Sequence, residues 1–207
     1  MSGDGATPVS PNTETEHSDA EENETVADRT PVRTGASAAI RALESAGVDY
    51  AFGVQGGAIM PVYDALYDSD INHITMAHEQ GAVHAATAYG TVTGEPGVCM
   101  ATSGPGATNL VTGIADANMD SEPVLALTGQ VPTDFVGNDA FQETDTVGVT
   151  RPITQANYFA SPPDTVGADV SEAFGLAKMG RQGPTLVDLP KDVNQGATGT
   201  IPGGPTS

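Results

Sequence analysis

The sequence lacks tryptophan, has a single cysteine, and has only seven lysine and arginine residues among its 207 positions. Because Cys99 is alone, an internal disulfide and a cysteine-based metal site are excluded, and we expect a buried, unreactive thiol. No apolar run approaches the roughly 18 residues of a membrane span. The N-terminus does not have the basic and apolar segments of a secretion signal, so we expect a cytoplasmic protein.

The shortage of cations is matched by an excess of acids. There are 27 Asp and Glu residues, and the formal net charge is −20. Nucleic acids and anionic membranes are not expected as partners, because their phosphates would be repelled. Salt near 1 M, with a Debye length of about 3 Å, would screen the self-repulsion of such a chain. The composition therefore predicts a salt-adapted protein, and an ordinary acidic protein is the alternative.

Composition divides the chain into three regions. Residues 1–31 are polar and acidic with almost no apolar side chains, which predicts a disordered tail. Residues 32–194 are long enough for one domain with its own core. Residues 195–207 are rich in Gly, Thr and Pro and have the composition of a linker, after which a second domain would begin.

The central region alternates short apolar runs with amphipathic segments. Strands are predicted over 50–54, 71–77, 97–102, 124–128 and 184–189, and helices over 34–46, 58–67, 80–93, 107–119 and 165–179. This alternation predicts an α/β fold, a parallel sheet of about six strands with helices on both faces. Ligands bind at the carboxyl ends of such strands. The residues predicted to share that rim are Gly56, Gly57, Glu79, Ser103, Gly104 and Gln130.

Glu79 is the most informative of these residues. It follows an apolar run and stands at the start of a predicted helix, inside His78-Glu79-Gln80. By itself, an acid stabilised by the helix dipole is the simpler interpretation. The run Gly104-Pro105-Gly106 is likewise a tight turn by itself. It is not a dinucleotide fingerprint, because it lacks the third Gly and an acidic partner.

Taken together, these segments resemble the first, pyrimidine-binding domain of the acetolactate synthase large subunit, a family of thiamine diphosphate enzymes. The resemblance covers about residues 34–193. The matching runs, in order, are 52–58, 78–86, 101–119, 129–132, 139–144 and 183–193. The resemblance implies 2-oxo acid decarboxylation and carboligation in branched-chain amino-acid biosynthesis, with a substrate such as pyruvate.

The resemblance also implies roles for individual residues. Glu79 would be catalytic, bonding N1′ of the aminopyrimidine so that the ring's 4′ nitrogen acts as the internal base. For Arg181, which would touch FAD, the alternative is a cation that satisfies carbonyls at a helix C-terminus. The other implied contacts are Gly57, Ala58 and Gln142 for the cofactor, and Phe141 and Lys191 for the substrate tunnel, with Ala58 and Pro132 near the inhibitor positions of the family.

Some positions depart from the family pattern. The chain has Val54-Gln55 where Tyr-Pro is usual, and Gln155-Ala156 where Lys-His is common. Gly90 replaces an Arg, and Gln182 replaces a Pro. Salt adaptation accounts for the lost Lys but not for all four changes.

The second half of the family's cofactor site is not found in this sequence. In the family, a partner chain's third domain binds the diphosphate through Mg²⁺ with Gly-Asp-Gly followed by Asn, and a middle domain binds FAD. The one Gly-Asp-Gly here, at residues 3–5, lies in the predicted tail. The resemblance thus predicts a truncated chain holding only the aminopyrimidine half, inactive alone. Mg²⁺ and FAD would depend on missing domains or on a partner chain.

Two alternatives stay open. The chain could be a separately encoded α subunit of a two-subunit thiamine-dependent 2-oxo acid decarboxylase. It could also be a non-catalytic remnant that binds a full-length synthase. The run 139–144 favours the synthase domain, because it resembles the carboligase tunnel.

Overall fold

A computed structural model describes residues 33–199 of the chain. They contain a six-stranded sheet: β1 (Tyr50–Gly53), β2 (Asn72–Thr75), β3 (Gly97–Ala101), β4 (Val124–Gln130), β5 (Ala156–Phe159) and β6 (Pro184–Pro190). The strand order is β2-β1-β3-β4-β6-β5, and every neighbouring pair is parallel. The predicted α/β class and sheet size are confirmed. The predicted tail, residues 1–31, lies outside the described residues.

Eight α-helices accompany the sheet in the described part of the chain. They are α1 (Gly35–Ser45), α2 (Met60–Tyr67), α3 (Glu79–Thr93), α4 (Pro105–Asn109), α5 (Val111–Asp120), α6 (Thr146–Thr150), α7 (Val166–Ala177) and α8 (Lys191–Gln195). The single helix predicted over 107–119 is divided at Leu110, whose N–H bonds the Ala107 carbonyl in a tighter turn. None of these helices is long and apolar enough to cross a membrane.

The helices cover both faces of the sheet, as predicted. On one face, α1, α2, α7 and α8 bury side chains such as Leu43 and Val62 against Leu127. On the other face, α3 and α5 bury Val83 and Ile114 against the sheet. Side chains of a strand alternate between faces, so strands buried on both sides are apolar throughout.

Cys99 lies inside the second of these cores and is fully buried. Burial raises the pKa of its thiol to about 12. The thiol therefore stays protonated at neutral pH and is a packing group, as the sequence predicts.

Glycines allow close contacts of α3 with β3 and with α5. A Cβ at Gly97 would lie 1.9 Å from the carbonyl oxygen of Ala86, and a Cβ at Gly113 would lie 2.2 Å from Cγ1 of Val83. The alanine-rich α3 therefore packs backbone against backbone on β3. This contact fixes the position of α3 along β3, and thus the position of its first residue, Glu79.

The folded unit continues slightly beyond the predicted domain end. Gln195 closes α8, the N–H of Gly35 donates to the carbonyl of Gly196, and Ala197 forms an antiparallel bridge with Thr34. Residues 195–199 thus pack beside the start of α1. The rest of the predicted linker, residues 200–207, lies outside the described part of the chain.

Candidate cofactor site

Glu79 is the first residue of α3. Met76, Ala77 and His78 connect it to β2, so it lies at the carboxyl edge of the sheet. His78 caps the helix, with its Nδ1 accepting a 3.1 Å hydrogen bond from the N–H of Gln80. Glu79 itself is half-buried. The positive end of the helix dipole favours a carboxylate at this position.

Asn109, at the end of α4, holds one oxygen of this carboxylate. Its Nδ2 donates a 3.0 Å hydrogen bond to Oε2 of Glu79. Gly106 faces the other oxygen: a Cβ there would lie 3.4 Å from Oε1 of Glu79. Among the described residues, no donor bonds Oε1. One oxygen is therefore fixed and the other is available to a ligand.

Thr102 contacts the glycine-rich turn after β1 and lies beside Gly106, which faces this carboxylate. Its Oγ1 accepts a 3.2 Å hydrogen bond from the N–H of Ala58. A Cβ at Gly56 would lie 2.4 Å from Cβ of Thr102, and a Cβ at Gly106 would lie 2.8 Å from its Cγ2. Gly57, in contrast, is exposed and has open space around it. Residues 56–58 therefore pack against Thr102, while Gly106 lies between Thr102 and Glu79. Open space remains beside Gly57.

Gln142 approaches the turn after β3 from another loop. A Cβ at Gly104 would lie 2.5 Å from the carbonyl oxygen of Gln142, and Gly104 has a φ of 57°. Gln142 and Asp139 also have positive φ, at 58° and 54°. Such conformations cost about 1–3 kcal/mol each and cluster at functional sites. Phe141, between them, is 87% exposed.

Glu143 closes this loop on itself. Its carboxylate accepts hydrogen bonds from the backbone N–H groups of Gly137 and Ala140. Those bonds, from Gly137 first and then Ala140, lower the pKa of Glu143. The residues from 137 to 145 thus form a compact turn held over the carboxyl ends of β3 and β4.

Tyr63, on α2, belongs to the first core and lies near Glu79. Its hydroxyl is 3.1 Å from Nε2 of His73. Burial raises the pKa of Tyr63, and the nearby Cys99 and Glu79 raise it further. Burial lowers the pKa of His73. Both groups are therefore neutral at pH 7. An open cavity of about 530 Å³ adjoins the pair.

The structure separates Arg181 from the other predicted site residues. Its Nε donates to Oγ of Ser121 at 2.8 Å, and its Nη2 donates to the carbonyl of Asn118 at 2.7 Å. Arg181 therefore caps the C-terminus of α5, near the amino ends of the strands and at the edge opposite Glu79. This matches the alternative role that the sequence left open; the FAD contact stays a prediction.

Lys191 lies on the expected edge of the sheet. It is half-buried and begins α8 directly after β6. Its neighbour Asp192 anchors that corner by accepting hydrogen bonds from the N–H and the hydroxyl of Thr133, which follows β4. The substrate role of Lys191 stays a prediction.

Three polar residues of this region were not predicted from the sequence as part of the site. Thr102 and Asn109 belong to the run 101–119, but nothing in that run indicates contacts with Ala58 or Glu79. Asp188 did have a signal, an acid inside the apolar strand Pro184–Pro190. It is almost completely buried beside Gln130. Within residues 33–199, no group of three or more His, Cys, Asp or Glu side chains is placed to hold a metal ion.

Comparison with known families agrees with this geometry. Residues 33–149 match the model of the thiamine pyrophosphate enzyme, N-terminal TPP binding domain. The chain therefore belongs to this family of thiamine diphosphate-binding domains. The half-buried Glu79 carboxylate, one oxygen of which has no donor within residues 33–199, and the open space at Gly57 fit such a cofactor.

Within this family, the individual proteins to which the chain is similar are acetolactate synthases. The chain is 58% identical over 164 residues to an acetolactate synthase of Mycobacterium bovis and 56% identical over 161 residues to an acetolactate synthase large subunit of Corynebacterium glutamicum. It is 51% identical over 178 residues to the large subunit of Parasynechococcus marenigrum. These matches cover 79%, 77% and 84% of this chain but 26%, 26% and 29% of the relatives. The chain thus spans about a quarter of the length of the relatives it matches.

Proposed function

We propose that this domain supplies the aminopyrimidine half of the thiamine diphosphate site of an acetolactate synthase. The observation that carries the proposal is the Glu79 carboxylate. Oε2 of Glu79 is fixed by Asn109, and Oε1, at the rim of the sheet, has no hydrogen-bond donor among the described residues. The identity to acetolactate synthases supports this enzyme over other members of the family.

The residues of the chain would act as follows. Bound thiamine diphosphate supplies the carbanion chemistry that joins 2-oxo acids. Glu79 would hold a proton between its Oε1 and the aminopyrimidine nitrogen, a general acid–base role. Gly57 and Ala58 would let the ring approach the backbone, and Gln142 would approach it from the opposite side. Phe141 and Lys191 would contact a substrate such as pyruvate.

The proposal requires a second half-site. A diphosphate-binding domain with its Mg²⁺, and a domain that binds FAD, would come from elsewhere in the same polypeptide or from a partner chain. Arg181, which caps the C-terminus of α5, is proposed to touch the FAD that such a domain would bind. Differential stabilisation of a transition state needs both halves positioned together. The domain alone is therefore proposed to be inactive.

Two other functions remain as candidates. One is the α subunit of a two-subunit 2-oxo acid decarboxylase, and the other is a non-catalytic protein that binds a complete synthase. The run 139–144 favours the synthase, because its residues resemble those of the carboligase tunnel in that family. We also propose a cytoplasmic location.

The test is reconstitution. The chain is mixed with a polypeptide carrying the FAD- and diphosphate-binding domains of an acetolactate synthase, with thiamine diphosphate, Mg²⁺ and FAD. We expect acetolactate from pyruvate on mixing, none from the chain alone, and a rate about 10²–10⁴ lower from a Glu79→Ala mixture. Turnover by the chain alone would contradict the half-site. A complex that forms yet makes no acetolactate would favour the non-catalytic alternative.

We further propose that the domain self-associates and is adapted to salt. Its charge is −20, and exposed apolar residues such as Val92 and Met119 lie on α3 and α5. Sedimentation at low salt and near 1 M, where the Debye length is about 3 Å, tests both parts. We expect dimers or larger oligomers whose population changes with salt. A folded monomer at both salt concentrations would rule out both claims.

A further inference from the structure

Asp188 is an ionisable group inside the central, apolar part of the sheet. It is 1% exposed on β6, in register with Thr128 on β4. Its Oδ1 accepts a 2.7 Å hydrogen bond from the Thr128 hydroxyl, and its Oδ2 accepts a 2.9 Å bond from Nε2 of Gln130. A carboxylate buried this deeply persists only when its oxygens are bonded.

Gln130 connects Asp188 to the loop that contains Thr144. The same Nε2 donates a second hydrogen bond, of 2.8 Å, to the carbonyl of Thr144. The Oε1 of Gln130 accepts a 2.9 Å bond from the N–H of Val131. With both amide hydrogens and the oxygen engaged, the orientation of the amide is fixed. Asp188 is thereby connected to the backbone two residues after Gln142.

The 137–145 loop, defined as residues 137 to 145, has few other hydrogen bonds to the sheet within residues 33–199. The bonds of Glu143 are internal to the loop. The contact between Gln142 and Gly104 is packing, not a hydrogen bond. Hydrogen bonds also tie the two ends of the loop to residues 134–135 and to α6. Among the described residues, the bond from Gln130 to Thr144 is the hydrogen bond that joins the loop directly to β4 and, through Asp188, to β6.

We propose that Asp188 is a positioning residue that holds the 137–145 loop, and with it Phe141 and Gln142, through Gln130, and that proton uptake by Asp188 loosens the loop. The inference rests on the proposed function, because that function gives Phe141 and Gln142 their role.

The surroundings of Asp188 allow this proton uptake near neutral pH. A cavity of about 440 Å³ separates it from the loop, and the titratable groups facing it are Glu143 and Asp145. β4 contributes Thr128 and Gln130, and β5 contributes Phe159. Among the described residues lining the cavity there is no cation.

These groups set the pKa of Asp188. Burial raises it to about 7, against the hydrogen bonds from Thr128 and Gln130, and the charge of Asp145 adds to the rise. Hydrogen bonds to an ionised acceptor are about twice as strong as neutral ones. The bond from Gln130 is therefore strongest above pH 7, and the loop should be held most firmly there.

Because the chain contains no tryptophan, a single introduced tryptophan gives a fluorescence signal from one known position. Phe141→Trp places a single indole on the exposed part of the loop, and its fluorescence anisotropy reports loop motion from pH 5 to 9. We expect anisotropy to rise with pH, with a midpoint near 7. No cofactor or substrate is present, so the result is independent of whether reconstitution succeeds.

Three variants in the Phe141→Trp background test the link. Asp188→Asn removes the titrating group, and Gln130→Met keeps it but breaks the link, so both should abolish the rise. Asp145→Asn keeps the helix cap and should retain the rise at a lower midpoint. Circular dichroism checks folding; if Asp188→Asn does not fold, Gln130→Met decides. A rise that persists in a folded Asp188→Asn or Gln130→Met protein would overturn the proposal, as would a flat parent profile.

Discussion

Asn109 Nδ2 donates a 3.0 Å hydrogen bond to Oε2 of Glu79, across 30 residues of sequence. The bond joins the end of α4 to the start of α3, the two helices that follow β3 and β2. It orients the Glu79 carboxylate without using Oε1. In the proposed function, Asn109 is therefore a positioning residue for the catalytic carboxylate.

Replacing Asn109 should impair turnover more than substrate binding. In the reconstituted enzyme, Asn109→Ala should lower kcat about 10- to 100-fold, because the carboxylate loses its fixed orientation. KM for pyruvate should change little. The neighbouring Thr108→Ala, which removes only an exposed bond within α4, is the matched control.

The coupling can be tested in a double variant. If Asn109 acts through Glu79, then Asn109→Ala should cost almost nothing in a Glu79→Ala background. Equal losses in both backgrounds would show that Asn109 affects only the packing of α4.

Two glycines give a test of the packing that positions α3. Gly97→Ala should destabilise the domain by about 1–3 kcal/mol, because its Cβ would meet the Ala86 carbonyl. Gly175→Ala, inside α7 with no atom within 4 Å, should instead stabilise it by about 0.4–1 kcal/mol. Urea unfolding at constant salt measures both. Similar effects from the two substitutions would contradict the close contact of α3 with β3.

The titration of Asp188 should make the free energy of unfolding of the domain depend on pH. Its folded pKa, about 7, is raised from the ordinary value of 3.8. The folded state therefore binds the proton more tightly than the unfolded state between these values. The stabilising contribution is complete below the unfolded pKa and is lost as pH rises through 7.

Comparison with Asp188→Asn isolates that contribution. The free energy of unfolding of the parent, minus that of the variant, should fall with rising pH between about 4 and 7, by at most about 1.4 kcal/mol per pH unit. Groups with a lowered pKa, such as Glu143, act alike in both proteins and cancel. Parallel stability curves would show that Asp188 does not titrate in this range.

The sequence predicted the elements whose signal is local. The apolar runs that became β1, β3 and β4 and the periodic segments that became α1, α3 and α7 were found within a few residues. β5 was missed because Ala156–Phe159 is a short, partly exposed edge strand without a continuous apolar run. The division between α4 and α5 was missed because Leu110 is apolar and buried, so the helical pattern continues through it.

The site was predictable only as far as it resembles a family. Glu79, Ala58 and Gln142 were identified through matching runs, and the structure puts them at the turns after β1, β2 and β4. The contacts of Asn109 and Asp188 could not be read from the sequence. They depend on which strands and helices become neighbours, such as β4 beside β6.

The central claim, that Glu79 is the catalytic carboxylate, is tested most directly by Glu79→Gln in the reconstituted enzyme. The amide keeps the shape of the side chain, so thiamine diphosphate affinity should stay within a few-fold. It cannot hold the proton as a carboxylate does, so acetolactate formation should fall by about 10²–10⁴. Near-normal turnover with the cofactor bound would contradict the account and would leave Glu79 as an acid that only stabilises the start of α3.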